Sequence, residues 1–86
     1  MYIARSKAFD KQYKKLSPKL QKQFFDRVKL LLSDERHPLL HVHTLTGKYT
    51  DMQSINVTAD IRAIFEVRDG DTYYFSAIGS HSELYG

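Results

Sequence analysis

Residues 61–79, IRAIFEVRDGDTYYFSAIG, decide the fold. Apolar and polar side chains alternate along Ile61–Val67, and Thr72–Ile78 is rich in aromatic and β-branched residues, so both segments are predicted to be strands. The Asp69-Gly70-Asp71 triplet between them is a turn signal, because glycine readily adopts the positive φ that tight hairpins need. The whole segment is therefore predicted to be an antiparallel hairpin that ends at Gly79.

The strand pattern continues upstream of this hairpin. Met52–Val57 alternates in the same way, and a short Thr58-Ala59-Asp60 turn joins it to Ile61. Met1–Arg5 alternates weakly and is predicted to be a short opening strand. These segments together predict a three-stranded antiparallel meander and a separate N-terminal strand.

The intervening segment has the period of helices. Ser6 is a suitable N-cap for a helix over Lys7–Leu16, and Ser17-Pro18 ends that helix and starts another. The apolar stripes of the two helices are Phe9, Tyr13 and Leu16, and Leu20, Phe24, Val28 and Leu31. We therefore predict a single α+β domain over residues 1–86, of order β-α-α-β-β-β.

Charge is distributed unevenly along the chain. The net charge is +3, but residues 1–30 hold nine Lys and Arg against two acids, whereas the remainder holds four against eight. A basic segment of this kind suits RNA or an acidic partner protein, although lysine-rich helices also occur simply as solvated faces. The sequence has no cysteine for disulfide or thiolate chemistry and no apolar stretch of membrane-spanning length. We expect a cytoplasmic protein without membrane association.

Two segments carry residues suited to phosphate chemistry. Arg62 is expected on an open face of its strand, where a guanidinium binds phosphate or pairs with Glu66 on the surface. His81 and Tyr85 follow Gly79, a residue that permits an unusual backbone conformation. Histidine transfers protons near neutral pH and tyrosine stacks on bases, so this tail fits RNA cleavage, or its histidine is merely exposed.

A loop with three histidines is the remaining candidate. Residues 33–48 lack periodicity and contain His37, His41 and His43, whose spacing can converge on zinc. No cysteine or carboxylate completes a convincing ligand set, so solvent-facing histidines are the favoured interpretation. We predict neither a metal nor another cofactor.

Several motifs together resemble one known family. They are Phe9 with Tyr13-Lys14-Lys15-Leu16, His43-x-Leu45-x-Gly47, Ile55-Asn56-Val57-x-x-Asp60-x-Arg62-Ala63-Ile64-Phe65 and Ile78-Gly79-x-His81-x-x-Leu84-Tyr85. This set resembles the RelE/ParE superfamily of type II toxins, and specifically its YafQ branch, over nearly the whole chain. The resemblance implies a RelE-like ribonuclease fold and a toxin that a cognate antitoxin neutralises.

The resemblance also implies an activity and a site. The expected enzyme is a metal-independent endoribonuclease that cuts mRNA in the ribosomal A site, through attack of the 2′-hydroxyl on the adjacent phosphorus. His81 is then the general acid, Asp60 or His43 the base or the group that orients it, and Arg62 the stabiliser of negative charge, while Tyr85 is the terminal aromatic. Residues expected to contact RNA or the ribosome are Lys14, Lys15, Lys22 and Asn56.

The sequence departs from the YafQ pattern at three positions. Asn56 stands where the branch has a second histidine, Ile61 where it has a tryptophan, and Ala77 where it has an arginine. These departures leave room for a weaker activity or a different base. Two alternatives stay open, namely a ParE-like toxin that inhibits DNA gyrase without chemistry, and a degenerate toxin that serves only as an antitoxin-binding module.

Overall fold

The computed structural model describes all residues, 1–86, and contains a five-stranded mixed sheet with two helices packed on one face. The elements in chain order are β1 (Tyr2–Arg5), α1 (Lys7–Lys14), α2 (Pro18–Ser33), β2 (His43–Thr44), β3 (Gln53–Asn56), β4 (Ile61–Arg68), β5 (Thr72–Ser80) and α3 (His81–Tyr85). The predicted α+β class and element order are confirmed, and β2 and α3 are additions to them. None of the helices is both long and apolar enough to cross a membrane.

The strands lie in the order β1-β5-β4-β3-β2. β1 runs parallel to β5, and every other neighbouring pair is antiparallel, so the predicted meander of β3, β4 and β5 is confirmed. The β4–β5 register shifts between Ile64 and Phe65, which face Ala77 and Phe75, so Ser76 is the extra residue of a bulge. Because of this bulge, the paired residues of β4 and β5 point to the same face of the sheet both before and after Ser76.

Both predicted helix caps are confirmed. The Ser6 hydroxyl accepts from Phe9 N at 3.0 Å, and the Ser17 hydroxyl accepts from Leu20 N at 3.3 Å, with a proline at the first position of α2. The first helix ends at Lys14, two residues earlier than predicted. It ends there because the chain turns sharply into α2, and the Gln21 side-chain amide donates to Tyr13 O and Leu16 O across that turn.

The main core lies between the helices and one face of the sheet, which we call the helix face. The thirteen buried residues of this core are Phe9, Phe24, Val28, Leu31, Leu40, Ile55, Val57, Ile61, Ala63, Phe65, Tyr73, Phe75 and Ile78. Ring centroids of Phe9, Phe24 and Phe75 lie 5.2 to 5.9 Å apart. Val67 pairs with the buried Tyr73 at the far end of β4 but is itself 47% exposed.

The turns set the ends of the long strands. Asp69 and Gly70 have φ of 57° and 71°, and Asp71 N donates to Arg68 O, which confirms the predicted turn between β4 and β5. Residues 33–48 were predicted to be a loop without elements, and this is wrong in part. Two short 3-10 turns, Pro38–Leu40 and Gly47–Tyr49, flank β2, because buried Leu40 and Leu45 anchor the segment to the domain.

Candidate active site

The face opposite to the helices, which we call the site face, has an apolar part and a polar part. Its apolar part is a cluster of four buried residues, Leu45, Ile64, Ala77 and Leu84, against which Tyr49 and Met52 pack. The sequence predicted an open face, and for this part the prediction is wrong because α3 and the segment before β3 cover it. The polar part adjoins this cluster where β4 begins and β5 ends.

A row of three paired residues forms the floor of the polar part. Arg62 on β4 pairs with Asn56 on β3 and with Gly79 on β5. Side chains of directly paired residues project to the same face, so the side chains of Arg62 and Asn56 stand next to each other. Gly79 adds no side chain to the row. The predicted position of Arg62 on the face opposite to the helices is confirmed.

The Arg62 guanidinium is held by backbone and has no acidic partner. Its Nη2 donates to Ala59 O at 3.2 Å, whereas its Nε is buried without a hydrogen-bond partner in the chain. The surface pair between Arg62 and Glu66, considered from the sequence, is wrong. The Glu66 carboxylate instead accepts from Arg68, whose Nη2 lies 2.7 Å from Glu66 Oε1 on the same face of β4. The charge of Arg62 is therefore available to an anion.

A short C-terminal helix brings His81 to this row. The sequence predicted a strand that ends at Gly79 and a tail after it without an assigned element, but β5 continues to Ser80 and α3 follows at once. The Ser80 hydroxyl accepts from Glu83 N at 3.2 Å, while Ser80 N donates to the Glu83 carboxylate at 2.8 Å, so the two residues form a capping box. His81 N donates to Asp60 O at 3.2 Å, which places Asp60 and His81 side by side.

Gly79 packs closely against the Glu83 side chain and does not have a positive φ. A Cβ at this position would lie 3.2 Å from Glu83 Oε1, so a larger residue would push against the capping box. The backbone and side-chain hydrogen bonds from Ser80 hold the pKa of the Glu83 carboxyl below its ordinary value of 4.5. The positive charge of Lys15 lowers this pKa further. The carboxylate of Glu83 is therefore occupied in fixing α3.

Three rings form a chain across the surface beside His81. The His81 and Tyr85 ring centroids are 4.8 Å apart, and Tyr85 meets Tyr49 edge-on at 5.9 Å. Lys48 Nζ lies 5.4 Å from the Tyr49 ring centroid. The sequence prediction included Tyr85 but missed Tyr49. The one sequence signal for a role of Tyr49 in this row of rings was its place as an aromatic residue in the short turn after Gly47.

We call one group of residues the polar end: Asn56, Asp60, Arg62, His81 and Tyr85. His43 does not belong to this group. His43 lies on β2, beside the strand that carries Asn56, but three inter-strand spacings, about 14 Å in total, separate β2 from β5, which leads into His81. The His43 ring is also engaged at both nitrogens, with Nδ1 2.8 Å from His41 O and Nε2 3.1 Å from Ser54 Oγ. Because a carbonyl only accepts, Nδ1 carries the hydrogen and Nε2 faces the buried Ser54 hydroxyl. His43 therefore connects β2 to β3.

A family model described as the bacterial toxin of type II toxin-antitoxin system, YafQ, matches residues 1–86. The chain belongs to the YafQ family of type II toxins. The family expected from the sequence motifs is thereby confirmed.

Solved structures of similar proteins include several toxins. YafQ from E. coli strain BL21(DE3) is 22% identical with a TM-score of 0.71, and the match covers 98% of this chain and 97% of that one. A metal-bound toxin from Helicobacter pylori is 27% identical with a TM-score of 0.74 and 99% coverage of both chains. YafQ in an E. coli DinJ–YafQ complex is 21% identical with a TM-score of 0.70, covering 98% and 97%. No curated protein gave a match.

Two departures from the YafQ pattern have structural consequences here. Ala77, in place of an arginine, is only 6% exposed and packs with Leu84 and Ile64, so this position contributes an apolar contact to the site face. Ile61, in place of a tryptophan, is a member of the main core. Arg62 is therefore the cation that β4 and β5 supply at the polar end of this YafQ-family chain.

The lysines predicted to bind RNA or the ribosome fall on two surfaces. Lys14 ends α1, and Lys15 follows it. Lys22 lies on the exposed side of α2, where its Nζ forms an ion pair with Asp26 at 3.3 Å. Lys14 and Lys15 thus lie at the end of α1, whereas Lys22 belongs to the exposed surface of α2.

His37 and His41 line a cavity that lies away from the polar end. They border this cavity, of about 600 Å³, together with Glu35, Arg36 and Gln53, near the end of α2. The His37 ring accepts from Leu39 N at 3.1 Å, which commits its Nδ1 to the local turn. No set of three or more His, Asp or Glu side chains is arranged to hold a metal ion. His37, His41 and His43 therefore do not converge.

Proposed function

We propose that this YafQ-family chain is a metal-independent endoribonuclease that cuts mRNA in the ribosomal A site. The observation that carries the proposal is the polar end, where Asp60, Arg62 and His81 occupy adjoining positions beside the rings of Tyr85 and Tyr49. This combination offers a proton acceptor, a cation, a proton donor and surfaces for stacking. Cleavage of RNA by its own 2′-hydroxyl uses all four.

In the proposed reaction, the 2′-oxygen attacks the adjacent phosphorus and the bond to the 5′-oxygen of the next nucleotide breaks. Asp60 takes the proton of the 2′-hydroxyl, and the His81 imidazolium gives a proton to the leaving 5′-oxygen. The Arg62 guanidinium stabilises the negative charge that develops on the phosphorane. The products are a 2′,3′-cyclic phosphate and a 5′-hydroxyl, and every proton is accounted for.

Asp60 is a better candidate for the base than His43, although the sequence left both open. The Asp60 side chain is exposed, and the backbone carbonyl of Asp60 accepts a hydrogen bond from His81 N. His43 lies on β2, three strand positions from β5 and His81, with its ring held between His41 O and the Ser54 hydroxyl. In this proposal, His43 supports β3, on which Asn56 lies, and takes no part in proton transfer.

Two macromolecular partners complete the proposal. YafQ and DinJ form a toxin-antitoxin complex in E. coli, and we propose that a cognate antitoxin likewise binds and neutralises this chain. The basic residues 1–30, including Lys14, Lys15 and Lys22, contact ribosomal RNA, which positions the enzyme over the mRNA. Charge reversal at these three lysines should weaken ribosome binding, and unchanged binding would contradict this role.

Expression in bacterial cells that lack the antitoxin tests the proposal. Growth is followed after induction of the wild-type chain, of His81→Gln and of His41→Asn, and a reporter mRNA from the same cells is mapped by primer extension. His41→Asn is the matched control because His41 is exposed, lies away from the polar end and has the positive φ of 46° that asparagine tolerates.

Growth arrest with in-frame cuts, lost in His81→Gln and kept in His41→Asn, is the expected result. Arrest without cuts, unaffected by His81→Gln, would instead support gyrase inhibition, which needs no proton transfer. Absence of arrest from the folded wild-type chain would support an antitoxin-binding module without catalysis. Either of the last two results contradicts the proposed function.

A further inference from the structure

The end of β5 that leads into His81 has no neighbouring strand on one of its sides. β1, the outermost strand on that side, pairs with β5 only at residues 72–75. Residues 76–80 of β5 therefore lie at an open edge of the sheet. Buried backbone groups at such an edge need hydrogen-bond partners from another part of the chain, because an unpaired buried N–H group is destabilising.

Two side chains at the N-cap and in the second turn of α1 supply these partners. The Ser6 hydroxyl donates to Ser76 O at 3.1 Å, and the Gln12 side-chain carbonyl accepts from Ile78 N at 2.9 Å. Ile78 is 2% exposed, so water cannot replace the Gln12 carbonyl unless the core opens. These two side chains thus continue the hydrogen bonding that β1 provides to the first half of β5.

Gln12 is a polar residue at a position where α1 packs against the sheet. It follows Phe9 by three residues, so the two side chains lie on the same face of the helix. Phe9 is fully buried there, with its ring centroid 5.9 Å from that of Phe75 on β5, and Gln12 is half-buried. Burial of an amide is unfavourable unless the amide is hydrogen-bonded. The bond to Ile78 N, 66 residues further along the chain, offsets this cost.

The hydrogen bond at Ile78 N acts on the part of β5 that carries the polar end. Ile78 stands one residue before Gly79, the partner of Arg62 on β4, and three residues before His81. A strand rises about 3.3 Å per residue, so this hydrogen bond lies within about 10 Å of the His81 backbone. His81 N is bonded in turn to Asp60 O. A shift of this strand end would therefore move His81 relative to Arg62 and Asp60.

We propose that Gln12 is a positioning residue for RNA cleavage. Its side-chain carbonyl holds Ile78 N and thereby fixes the end of β5 that leads into His81. Gln12 lies on α1 and is not a member of the polar end, so it acts on the reaction only through β5 and α3. The inference rests on the proposed function, since this alignment matters for the proton that His81 gives to the leaving oxygen.

Single-turnover cleavage of a defined mRNA on programmed ribosomes tests the inference. Two quantities are measured for each chain, namely the rate at saturating protein and the protein concentration that gives half of this rate. Gln12→Leu removes the acceptor and should lower the saturated rate by about tenfold to a hundredfold, as expected for a reacting group displaced by up to about 1 Å. The half-saturating concentration should stay unchanged, because the lysines proposed to contact ribosomal RNA are intact.

Three further variants separate positioning from stability. Gln12→Ala removes the same acceptor with a residue that favours helix, and it should lower the saturated rate as well. Gln12→Glu keeps an oxygen that accepts from Ile78 N, so it should cut at close to the wild-type rate. Gln21→Leu removes an amide that donates to Tyr13 O and Leu16 O between the helices, so it should lower the melting temperature but not the saturated rate. A thermal melt of each variant shows that the compared chains are folded.

The pattern of rates separates this inference from the proposed function. A saturated rate that falls in Gln12→Leu and Gln12→Ala but persists in Gln12→Glu and Gln21→Leu supports the positioning role. If the wild-type chain cuts the mRNA and both acceptor-free variants cut equally fast, or if Gln21→Leu or Gln12→Glu loses as much rate, the positioning role is contradicted and the nuclease stands. If the wild-type chain does not cut, the proposed function and this inference are both contradicted.

Discussion

The two faces of the sheet differ in how completely their side chains are paired. The helix face contributes to a core of thirteen buried residues, in which four aromatic rings contact one another through Phe75 and Phe9. The site face has a cluster of only four buried residues, and its polar end leaves Asn56 Oδ1 and Arg62 Nε unpaired. The first face holds the domain together, while the second carries the residues to which the proposed function assigns chemistry.

This difference predicts which substitutions affect stability and which affect activity. A residue of the helix face loses packing energy when it is truncated, because a cavity remains in the core. A residue of the polar end has few protein contacts to lose, so its removal should leave unfolding almost unchanged. A polar end of this kind is expected where function has been favoured over stability.

Truncation of the helix face should have the largest effect. Phe75→Ala removes a fully buried ring that contacts Phe9, Phe24 and Phe65, so the free energy of unfolding should fall by about 3–5 kcal/mol. Urea denaturation followed by circular dichroism measures this change. A loss below about 1 kcal/mol would mean that the helix face is not the main source of stability.

Removal of the arginine at the polar end should affect rate and not stability. Arg62→Ala should reduce the cleavage rate on programmed ribosomes by a factor that corresponds to roughly 2–4 kcal/mol, because a fixed cation no longer meets the phosphorane. Arg68→Ala is the matched control on the same strand, since Arg68 pairs with Glu66 and stacks on Tyr74 away from the site. Equal rates for Arg62→Ala and the wild-type chain would remove Arg62 from the mechanism.

The terminal tyrosine should have an intermediate effect. Tyr85→Ala should weaken cleavage by about 1–3 kcal/mol if its ring stacks on a substrate base, and Tyr85→Phe should have little effect. Substitution is more informative than deletion of residues 84–86, because Leu84 is buried in the site-face cluster and its loss would disturb folding. Full activity of folded Tyr85→Ala would show that the ring is passive.

The pH dependence of α3 should be the smallest effect. The hydrogen bonds from Ser80 lower the pKa of Glu83 in the folded chain, so this contribution to stability is present above the ordinary value of 4.5. It is lost as the pH falls through the lower, folded pKa. Amide hydrogen exchange in α3 should therefore speed up at acid pH, and Glu83→Gln should remove this dependence. Exchange that is independent of pH after correction for its intrinsic rate would contradict the capping role.

The sequence predicted the helix face well because periodicity and caps are local signals. The stripes of α1 and α2 and the serine caps at Ser6 and Ser17 all appear as expected. The sequence Ser80-His81-Ser82-Glu83 also has the pattern of a capping box, and this local signal could have predicted α3. Its five residues were missed because they lack the length of a typical amphipathic helix.

The site was predicted only in part because its contacts are not local. The two motifs that contain Arg62 and His81 indicated candidate site residues, but the pairing of Arg62 with Asn56 depends on the β3–β4 register. Engagement of His43 by Ser54 depends likewise on the β2–β3 register, and Tyr49 meets Tyr85 only after α3 folds back. Such contacts between distant segments require the tertiary structure.

The most direct test of the central claim is cleavage by purified protein. Wild-type chain and His81→Gln are added separately to a reconstituted translation reaction with one defined mRNA, and the ends of the fragments are analysed chemically. The account predicts that only the wild-type chain yields fragments, with a 2′,3′-cyclic phosphate on one side of the cut and a 5′-hydroxyl on the other. Intact mRNA with the wild-type chain, or equal cleavage by His81→Gln, would contradict it.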